Sequence, residues 1–366
     1  MLNPETVGDL AEAIRGARGP LVVRGGGTRG IGRPLAGEAL STAGLSGIVL
    51  HEPGALTLVA RAGTPVAEVE AVLAAAGQRL PFEPMDARRL LGTEGEPTIG
   101  GVVAANASGP RRVQGGAARD FLLGVKFVDG TGAEVSNGGR VMKNVTGLDL
   151  ARLMAGSRGT LGVLTEVAFK VLPRPETALT LTLHGLDTDR AVAALATALG
   201  SPWEVTGAAH DPEAGVTRLR IEGFAESVAY RAGRLADLLR PFGPAEPGEA
   251  DWTAIRDVAD FAARPGDVWR VHVTASAAPA VIARAGARAV RIDWGGGLVW
   301  LLTEEGADLR ARLGDLPGHA TLWRAAPETR AAIAPFPPEA PAVAALSQAL
   351  RRKFDPRGIL NPGLMD

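Results

Sequence analysis

The sequence predicts an α+β protein with a glycine-rich first domain and a second domain built on an antiparallel sheet with helices on one face. Three observations support this prediction. The 366 residues suffice for two or three domains. Beyond Pro173, strand patterns alternate with helix patterns. The glycines are concentrated in the first half of the chain, within residues 24–32, 98–116, 130–147 and 156–162.

Composition excludes several classes of protein and of site. Apolar residues make up 46% and charged residues 22%, as in ordinary globular proteins. The absence of cysteine excludes disulfides, zinc–thiolate sites, iron–sulfur clusters and a cysteinyl link to a cofactor. A net charge of −1 gives no overall field for nucleic acid or an anionic membrane. Neither a signal peptide nor a transmembrane segment is evident, so we expect a cytoplasmic protein whose membrane contacts, if any, are made through partners.

Four elements are predicted in the first 61 residues. Residues 6–18 form a helix because their apolar side chains recur near helical spacing. Residues 21–24 (LVVR) are a buried type of strand that leads into the first glycine loop. Two further strands, 46–51 and 56–61, are separated by a Pro-Gly turn.

The next predicted element is a helix with signals at both ends. Thr64 is expected to cap it, Pro65 occupies its first position and Gly77 ends it. Its buried stripe is expected to consist of Val66, Val69, Val72, Leu73 and Ala76.

The rest of the first domain alternates strands with one short helix. Strand 121–128 reverses at an Asp-Gly turn, which indicates a hairpin. A helix over 149–155 follows, and a long strand over 163–173 ends at a proline.

Pro173 and Pro175 mark the predicted domain boundary. The second domain has strands at 177–185, 203–209, 216–223, 267–274, 289–303 (a hairpin) and 319–324, and helices at 187–199, 225–240, 250–263, 277–287 and 305–313. A proline-rich linker, 335–341, precedes a helix over 342–353. We therefore divide the chain into a first domain (1–174, with subdomains of roughly 1–80 and 81–174), a cap domain (175–335), and a linker and C-terminal segment (336–366) that returns to the first domain.

The first glycine loop fits the expression G-x-G-x-x-G but not its usual context. Gly25, Gly27 and Gly30 follow a strand, as in a dinucleotide-binding fingerprint. That fingerprint needs a helix at its third glycine, and Pro34 opposes one. The loop can still turn successive backbone N–H groups towards an anion.

Two further small-residue segments support a large flat ligand. In 98–112, Thr98 is expected to cap a helix with Gly100 and Gly101 near its N-terminus, which suits a phosphate. In 143–167, glycines separate a helix from a strand. Three such segments within the first 167 residues suggest a ligand with a pyrophosphate and a flat ring system, and FAD fits that description.

A series of motifs resembles a known family of flavoproteins. In chain order these are RGGGT, LPFEP, TIGGVVAANASGPRR, GGAARDFLLGVKFV, KNVTGLDL, GSRGTLGVLTEV and FDPRGILNPG. The series resembles the PCMH-type FAD-binding domain shared by vanillyl-alcohol oxidase, D-lactate dehydrogenase and glycolate oxidase. Within that family, length and the segments DWGGGLVWLL and GHATLWRA resemble the shorter FAD-domain subunit of bacterial glycolate oxidase.

The resemblance implies a two-part FAD domain with the cofactor extended between its parts. By position, the residues implied in binding pyrophosphate, flavin and the adenine half are Arg24, Gly25, Gly26, Gly27, Thr28, Pro84, Thr98, Gly100, Gly101, Ala104, Asn106, Ser108, Gly109, Gly162 and Val163. The C-terminal Asn361-Pro362-Gly363 is expected to close the site. Two positions depart from the family pattern, where Leu148 replaces the usual Tyr and Arg158 the usual Glu.

The chemistry implied by the family is oxidation of a 2-hydroxy acid, which needs a proton acceptor, a cation for the carboxylate and a hydride acceptor. The loop offers no histidine, so FAD is expected to be noncovalent. The five histidines are scattered, so no metal site is predicted, and no catalytic base stands out. Candidate carboxylate ligands are Arg111, Arg112, Arg119, Arg270 and Arg324.

Three functions remain open from the sequence. The first is an FAD-binding subunit of a glycolate oxidase complex, with a larger catalytic FAD-domain subunit and an iron–sulfur subunit as partners. The second is a self-sufficient FAD-dependent dehydrogenase for a 2-hydroxy acid or alcohol. The third is a noncatalytic scaffold that has lost FAD.

Overall fold

The computed structural model describes residues 1–139 and 147–366, which form seventeen strands in sheets and thirteen α-helices. The strands are β1 (Leu21–Arg24), β2 (Glu38–Ser41), β3 (Ile48–Glu52), β4 (Thr57–Arg61), β5 (Gln78–Arg79), β6 (Leu122–Val128), β7 (Glu134–Gly138), β8 (Val163–Lys170), β9 (Leu172–Pro173), β10 (Thr177–His184), β11 (Val205–Asp211), β12 (Val216–Gly223), β13 (Glu246–Gly248), β14 (Asp267–Val273), β15 (Ala289–Asp293), β16 (Leu298–Thr303) and β17 (Gly318–Arg324). The helices are α1 (Val7–Gly16), α2 (Val66–Ala75), α3 (Arg88–Leu91), α4 (Ile99–Ala105), α5 (Arg112–Gly115), α6 (Leu150–Met154), α7 (Thr188–Leu199), α8 (Ala225–Leu239), α9 (Trp252–Asp257), α10 (Ala278–Ala285), α11 (Leu309–Leu313), α12 (Pro327–Ala332) and α13 (Pro341–Phe354). Within the described residues, no helix has both the length and the apolar character needed to cross a bilayer.

The first domain is built on two main sheets. The strands β1 and β2 pair in parallel, and β3-β4-β8-β6-β7 form an antiparallel sheet in that order. Helices α2, α4 and α6 contribute Val69, Val102 and Met154 to the core of the second sheet. This sheet takes strands from both sides of residue 80. The predicted subdomain boundary at that residue therefore does not separate two sheets, and it stays a prediction.

The cap domain is a single antiparallel sheet of eight strands, ordered β13-β10-β12-β11-β15-β16-β14-β17. Alternation along β14 separates its two faces. Trp269 and Val271 pack with helices α10 and α11, whereas Val268 packs towards Ile31 and Met85 of the first domain. The α+β class, with helices on one face of an antiparallel sheet, is confirmed.

Several details of the prediction were wrong. Thr64 does not cap α2, because its hydroxyl donates to the carbonyl of Arg61 and accepts from the N–H of Gly47, and Pro65 is the residue that precedes the helix. Ala76 is exposed, so it is not part of the buried stripe. The short elements β2, β13 and α12 were not predicted, and the helix expected over 250–263 is reduced to α9 followed by a 3₁₀ turn.

The C-terminal segment lies against the first domain. Leu360 forms a parallel bridge with Leu21, and Asn361 is buried. The side-chain carbonyl of Asn361 accepts from the N–H of Val23 at 2.7 Å, and its amide donates to the carbonyl oxygen of Arg158 at 2.8 Å. Asn361 thereby ties β1 to the loop before β8, and both lie at the cavity described next.

Candidate functional site

A cavity of about 480 Å³ lies where β1, α4, the loop before β8 and the C-terminus meet. This volume is within the range of small-molecule and cofactor sites. The predicted binding residues that line it are Arg24, Gly25, Gly26, Gly27, Thr28, Thr98, Gly100, Gly101, Ala104, Gly162 and Val163. Asn361 also lines the cavity, as the predicted closure by the C-terminus requires.

The first glycine loop needs its glycines because it packs closely and turns sharply. A Cβ on Gly26 would lie 1.6 Å from the carbonyl oxygen of Glu96, and one on Gly25 would lie 2.3 Å from Oγ1 of Thr98. Gly27 has a φ of 71°, a conformation that L side chains rarely adopt. The next element after this loop is the strand β2 and not a helix, so the loop lacks the helix that a Rossmann fingerprint needs.

The start of α4 forms another wall of the cavity. Thr98 caps this helix, as predicted, because its hydroxyl accepts from the N–H of Gly101 at 3.2 Å. Gly100 lies against Ala62, where an added Cβ would be 2.7 Å from the Ala62 carbonyl oxygen. Small residues here keep the backbone within reach of a ligand.

Among the described residues, the charged side chains that line the cavity are all arginines, and no Asp or Glu lines it. The five arginines are Arg24, Arg29, Arg33, Arg158 and Arg330. Burial lowers the pKa of Arg29 to about 10, and burial together with the charge of Arg29 lowers the pKa of Arg158 to about 10. Nε of Arg29 and Nε of Arg330 are buried without a hydrogen-bond partner in the described structure. Such cations are stabilised by an anionic ligand, so the residues present fit a pyrophosphate.

Four of the predicted binding residues do not line this cavity: Pro84, Asn106, Ser108 and Gly109. Asn106 ends α4 and accepts from the N–H of Arg119. Ser108 accepts from the N–H of Ala118, and the carbonyl oxygen of Gly109 accepts from Nε1 of Trp294. These residues connect neighbouring segments of the fold in the present structure.

The two departures from the family pattern have different positions. Leu148 is 77% exposed, next to a part of the KNVTGLDL motif (143–146) that lies outside the described residues. Arg158 has a φ of 52° and reaches the cavity, where its guanidinium carbon lies 4.7 Å from the ring centre of Phe336. The basic replacement therefore adds a cation to the cavity wall.

The five arginines considered for a substrate carboxylate divide into two groups. Arg111 is engaged by Glu222, at 2.6 and 2.8 Å, and Arg324 donates to backbone carbonyls. Arg119 is exposed and lies 3.7 Å from Asp120. Arg112 and Arg270 have no carboxylate within 4 Å in the described structure, and both lie over the ring of Trp294.

The histidines are scattered in the sequence, but two of them lie side by side in the structure. The register of β14 and β17 pairs His272 with His319, and their rings stack at 4.6 Å. No cluster of three or more potential His, Asp or Glu metal ligands occurs in residues 1–139 and 147–366. Sequence reasoning missed this histidine pair because only the register of two strands brings it together.

Comparison with known proteins places the chain first in a class. The profile of the family described as "FAD binding domain" matches residues 1–137. A solved structure of alkyldihydroxyacetonephosphate synthase shares the fold, with a TM-score of 0.70 at 16% identity, over 98% of this chain and 76% of that one. The chain is an FAD-dependent oxidoreductase subunit, and its cofactor is FAD.

More similar relatives then define the family. The chain is 37% identical over 349 residues to glycolate oxidase subunit GlcE of Escherichia coli strain K12, covering 94% of this chain and 92% of the relative. It is 32% identical over 161 residues to glycolate oxidase subunit GlcD of Bacillus subtilis strain 168, covering 44% and 34% of the two chains. The chain belongs to the glycolate oxidase subunit family represented by GlcE.

Proposed function

We propose that this chain is the FAD-binding subunit of a glycolate oxidase type of complex. It binds FAD noncovalently in the arginine-lined cavity, and the complex oxidises glycolate or a related 2-hydroxy acid to the 2-oxo acid. Electrons then pass to a partner iron–sulfur subunit, and a larger FAD-domain subunit completes the complex. The single observation that carries this proposal is that, among the described residues, every charged side chain lining the cavity at the glycine loop is an arginine.

The chain's own residues hold the cofactor in this proposal. The backbone of Gly25–Gly27 and the start of α4 face the pyrophosphate, and Arg29 and Arg158 neutralise its charge. Bound FAD supplies a hydride acceptor. Since the sequence has no cysteine and the loop no histidine, the attachment is noncovalent.

The substrate and partners follow from the relatives' chemistry and from composition. Two relatives are named as subunits of glycolate oxidase, and another as a D-2-hydroxyglutarate dehydrogenase. All three names imply a 2-hydroxy acid. A chain without cysteine has no thiolates for an iron–sulfur cluster, so a cluster that receives the electrons belongs to a partner.

One observation favours the second candidate, a self-sufficient dehydrogenase. Arg112 and Arg270 have no carboxylate within 4 Å in the described structure. Both lie over Trp294, beside His272 and the stacked His319. The scaffold hypothesis has less support, because the cavity is open and, among the described residues, no Asp or Glu lines it.

Anaerobic reduction by glycolate tests the proposal. The chain is purified alone and with its co-expressed partner subunits, and the visible flavin bands are followed after glycolate is added. We expect glycolate to bleach the flavin bands when the partner subunits are present, and the iron–sulfur cluster to become reduced at the same time. Bleaching of the isolated chain at the same rate would favour the self-sufficient enzyme, and no bleaching in either sample would contradict both.

A further inference from the structure

A second group of cationic and titratable side chains lies where the cap faces the first domain, centred on Trp294. We call Arg112, Arg270, His272, Trp294 and His319 the Trp294 cluster. The guanidinium carbons of Arg112 and Arg270 lie 4.6 and 5.1 Å from the ring centre of Trp294. The ring of His272 lies 5.2 Å from that of Trp294, and His319 stacks on His272.

The fold holds this cluster in a fixed arrangement. Arg270 and His272 are two residues apart on β14, so they point to the same face of the sheet. Trp294 has a backbone φ of 53°, which L residues rarely adopt. The backbone N–H of Trp294 donates to the carboxylate of Asp293 at 2.7 Å, and Nε1 of Trp294 donates to the carbonyl oxygen of Gly109 at 3.1 Å. Strained residues that the surroundings hold in place often belong to functional sites.

The cluster has several cations and no paired anion. In the described chain neither guanidinium has a carboxylate within 4 Å, although Asp120 and Asp293 act on Arg112 and Arg270 from farther away. Nε2 of His272 is buried without a hydrogen bond. Burial and the charges of Arg270, His319 and Arg112 lower the pKa of His272 to about 2. Burial and the same two arginines also lower the pKa of His319.

The surrounding charges strengthen this imbalance. Arg158 and Arg112 both act on Arg270, whose pKa is lowered to about 9 chiefly by burial. The acidic group nearest in the sequence to Trp294 is Asp293, and burial raises its pKa to about 7. A bound anion relieves both the repulsion between the arginines and the unfavourable charging of the histidines.

The cluster reaches the protein surface through one of its members. His319 lies on β17, the edge strand of the cap sheet, and is exposed. Arg112 and His272 are half-buried behind it. Arg270 lies 5.1–5.5 Å from the ring centres of Trp294, Trp300 and Trp323, so its guanidinium is held among aromatic rings and not by a carboxylate.

We propose that the Trp294 cluster binds the carboxylate of a small organic acid through Arg112 and Arg270, and that the His272–His319 pair takes up a proton from solution when the anion binds. The inference rests on the proposed function for its ligand class, a 2-hydroxy acid. It goes further because it places the carboxylate site in this chain, independently of a partner subunit.

This site has a definite pH dependence. Without ligand, burial and the charges of Arg270 and Arg112 disfavour the charged form of both histidines. The carboxylate cancels part of that field, so protonation and binding favour each other. Affinity therefore increases as the pH falls towards the ordinary histidine pKa of about 6.5.

Titration calorimetry with oxalate tests the inference on the full-length, FAD-loaded chain. Oxalate has two carboxylates and no C–H bond to oxidise, so binding is measured without turnover. Titrations near pH 6 in two buffers of different protonation enthalpy give the number of protons taken up. We expect measurable proton uptake, and roughly tenfold or greater weakening in Arg112→Gln and in Arg270→Gln.

The histidine variants separate proton uptake from binding. His319→Gln is expected to remove most of the uptake, since charging the exposed member of the pair is easier than charging buried His272. His184→Gln is the matched control, because this exposed histidine lies elsewhere on the cap, 3.8 Å from Glu246. It is expected to bind oxalate and protons as the unmodified chain does.

Three outcomes would overturn the inference: no oxalate binding, unchanged affinity in the arginine variants, or unchanged uptake in His319→Gln. If the Arg270→Gln variant does not fold, the oxalate affinity of the Arg112→Gln variant decides the test. Flavin content, read from the visible spectrum of each sample, tests the proposed function separately. A chain without flavin that still binds oxalate would contradict the cofactor proposal and keep the carboxylate site.

Discussion

Two adjacent residues, Arg111 and Arg112, show how differently this protein uses its arginines. Arg111 lies between the carboxylates of Glu222 and Glu83, at 2.6 and 3.1 Å, whereas Arg112 lies over Trp294 without a carboxylate partner in the described structure. The first belongs to a neutralised network that joins the first domain to the cap. The second faces a region that accepts an anion.

The same contrast holds between larger regions. In the network, burial alone would raise the pKa of Glu222, but Arg111, Arg220 and Arg79 lower it to about 2. In the cavity, Arg29 and Arg158 have lowered pKa values because burial is not balanced by carboxylates. We infer that the paired arginines stabilise this fold, and we propose that its anionic ligands bind at the arginines without a carboxylate partner in the described structure.

The largest expected effect comes from breaking the paired network. Glu222→Gln leaves Arg111, Arg79 and buried Arg220 without their shared carboxylate. Removing one partner of a buried ion pair costs about 3–5 kcal/mol. Urea unfolding measures the loss. Glu246→Gln, at an exposed pair, is the control and is expected to change stability by less than about 0.5 kcal/mol. Equal stability of the two variants would contradict a structural role for the network.

Removing an unpaired cation is expected to act on the ligand instead. Arg29→Gln should leave the stability of the FAD-free protein unchanged or higher, since it removes a buried charge. It should weaken FAD binding by about 1.5–3 kcal/mol. Quenching of FAD fluorescence measures the affinity, and thermal unfolding of the same samples measures stability. Arg18→Gln, on the exposed surface, is the control. Normal FAD affinity in Arg29→Gln would remove the main support for the cavity as the pyrophosphate site.

A pair of glycine substitutions tests whether the first glycine loop depends on its close packing. Gly26→Ala forces a Cβ into the carbonyl oxygen of Glu96, whereas Gly30→Ala meets no atom within 4 Å. We expect Gly26→Ala to lose about 1–3 kcal/mol of stability and part of its FAD affinity. Gly30→Ala should change little. Similar losses in both variants would show that the loop does not depend on this close approach.

The last expected effect is a pH dependence from Asp293, which is buried with a pKa raised from 3.8 to about 7. Between these values the folded protein binds more protons than the unfolded one, so stability falls as the pH rises. Asp293→Asn should flatten this fall and still accept from the N–H of Trp294. Urea midpoints at about pH 5 and about pH 8 measure the difference. Exposed Asp315→Asn is the control and should keep the original slope, and an unchanged slope in Asp293→Asn would contradict the assignment.

Sequence periodicity and glycine clusters predicted most of the fold and one wall of the site. The strand over 21–24 and its glycine loop, and the capped start of α4, occur where the sequence placed them. Thr64 was misjudged because a cap and a loop compete for one hydroxyl, and the N–H of Gly47 is a tertiary partner. The four-residue strand β2 was missed because its pairing with β1 leaves no periodic signal.

The roles of individual arginines and histidines were beyond the sequence. Arg111 and Arg112 are equivalent candidates until Glu83 and Glu222 are brought to one of them by the fold. In the same way, His272 and His319 meet only through the register of β14 with β17. Such roles depend on tertiary neighbours, which local patterns do not encode.

The visible absorption spectrum of the purified chain, recorded before and after denaturation and filtration, tests most directly whether the unpaired arginines mark a cofactor site. Flavin bands in the native protein that pass entirely into the filtrate after denaturation are the expected result. A protein that is colourless, and stays colourless after incubation with FAD, would contradict this account of the cavity. Flavin that remains with the denatured chain would contradict noncovalent binding.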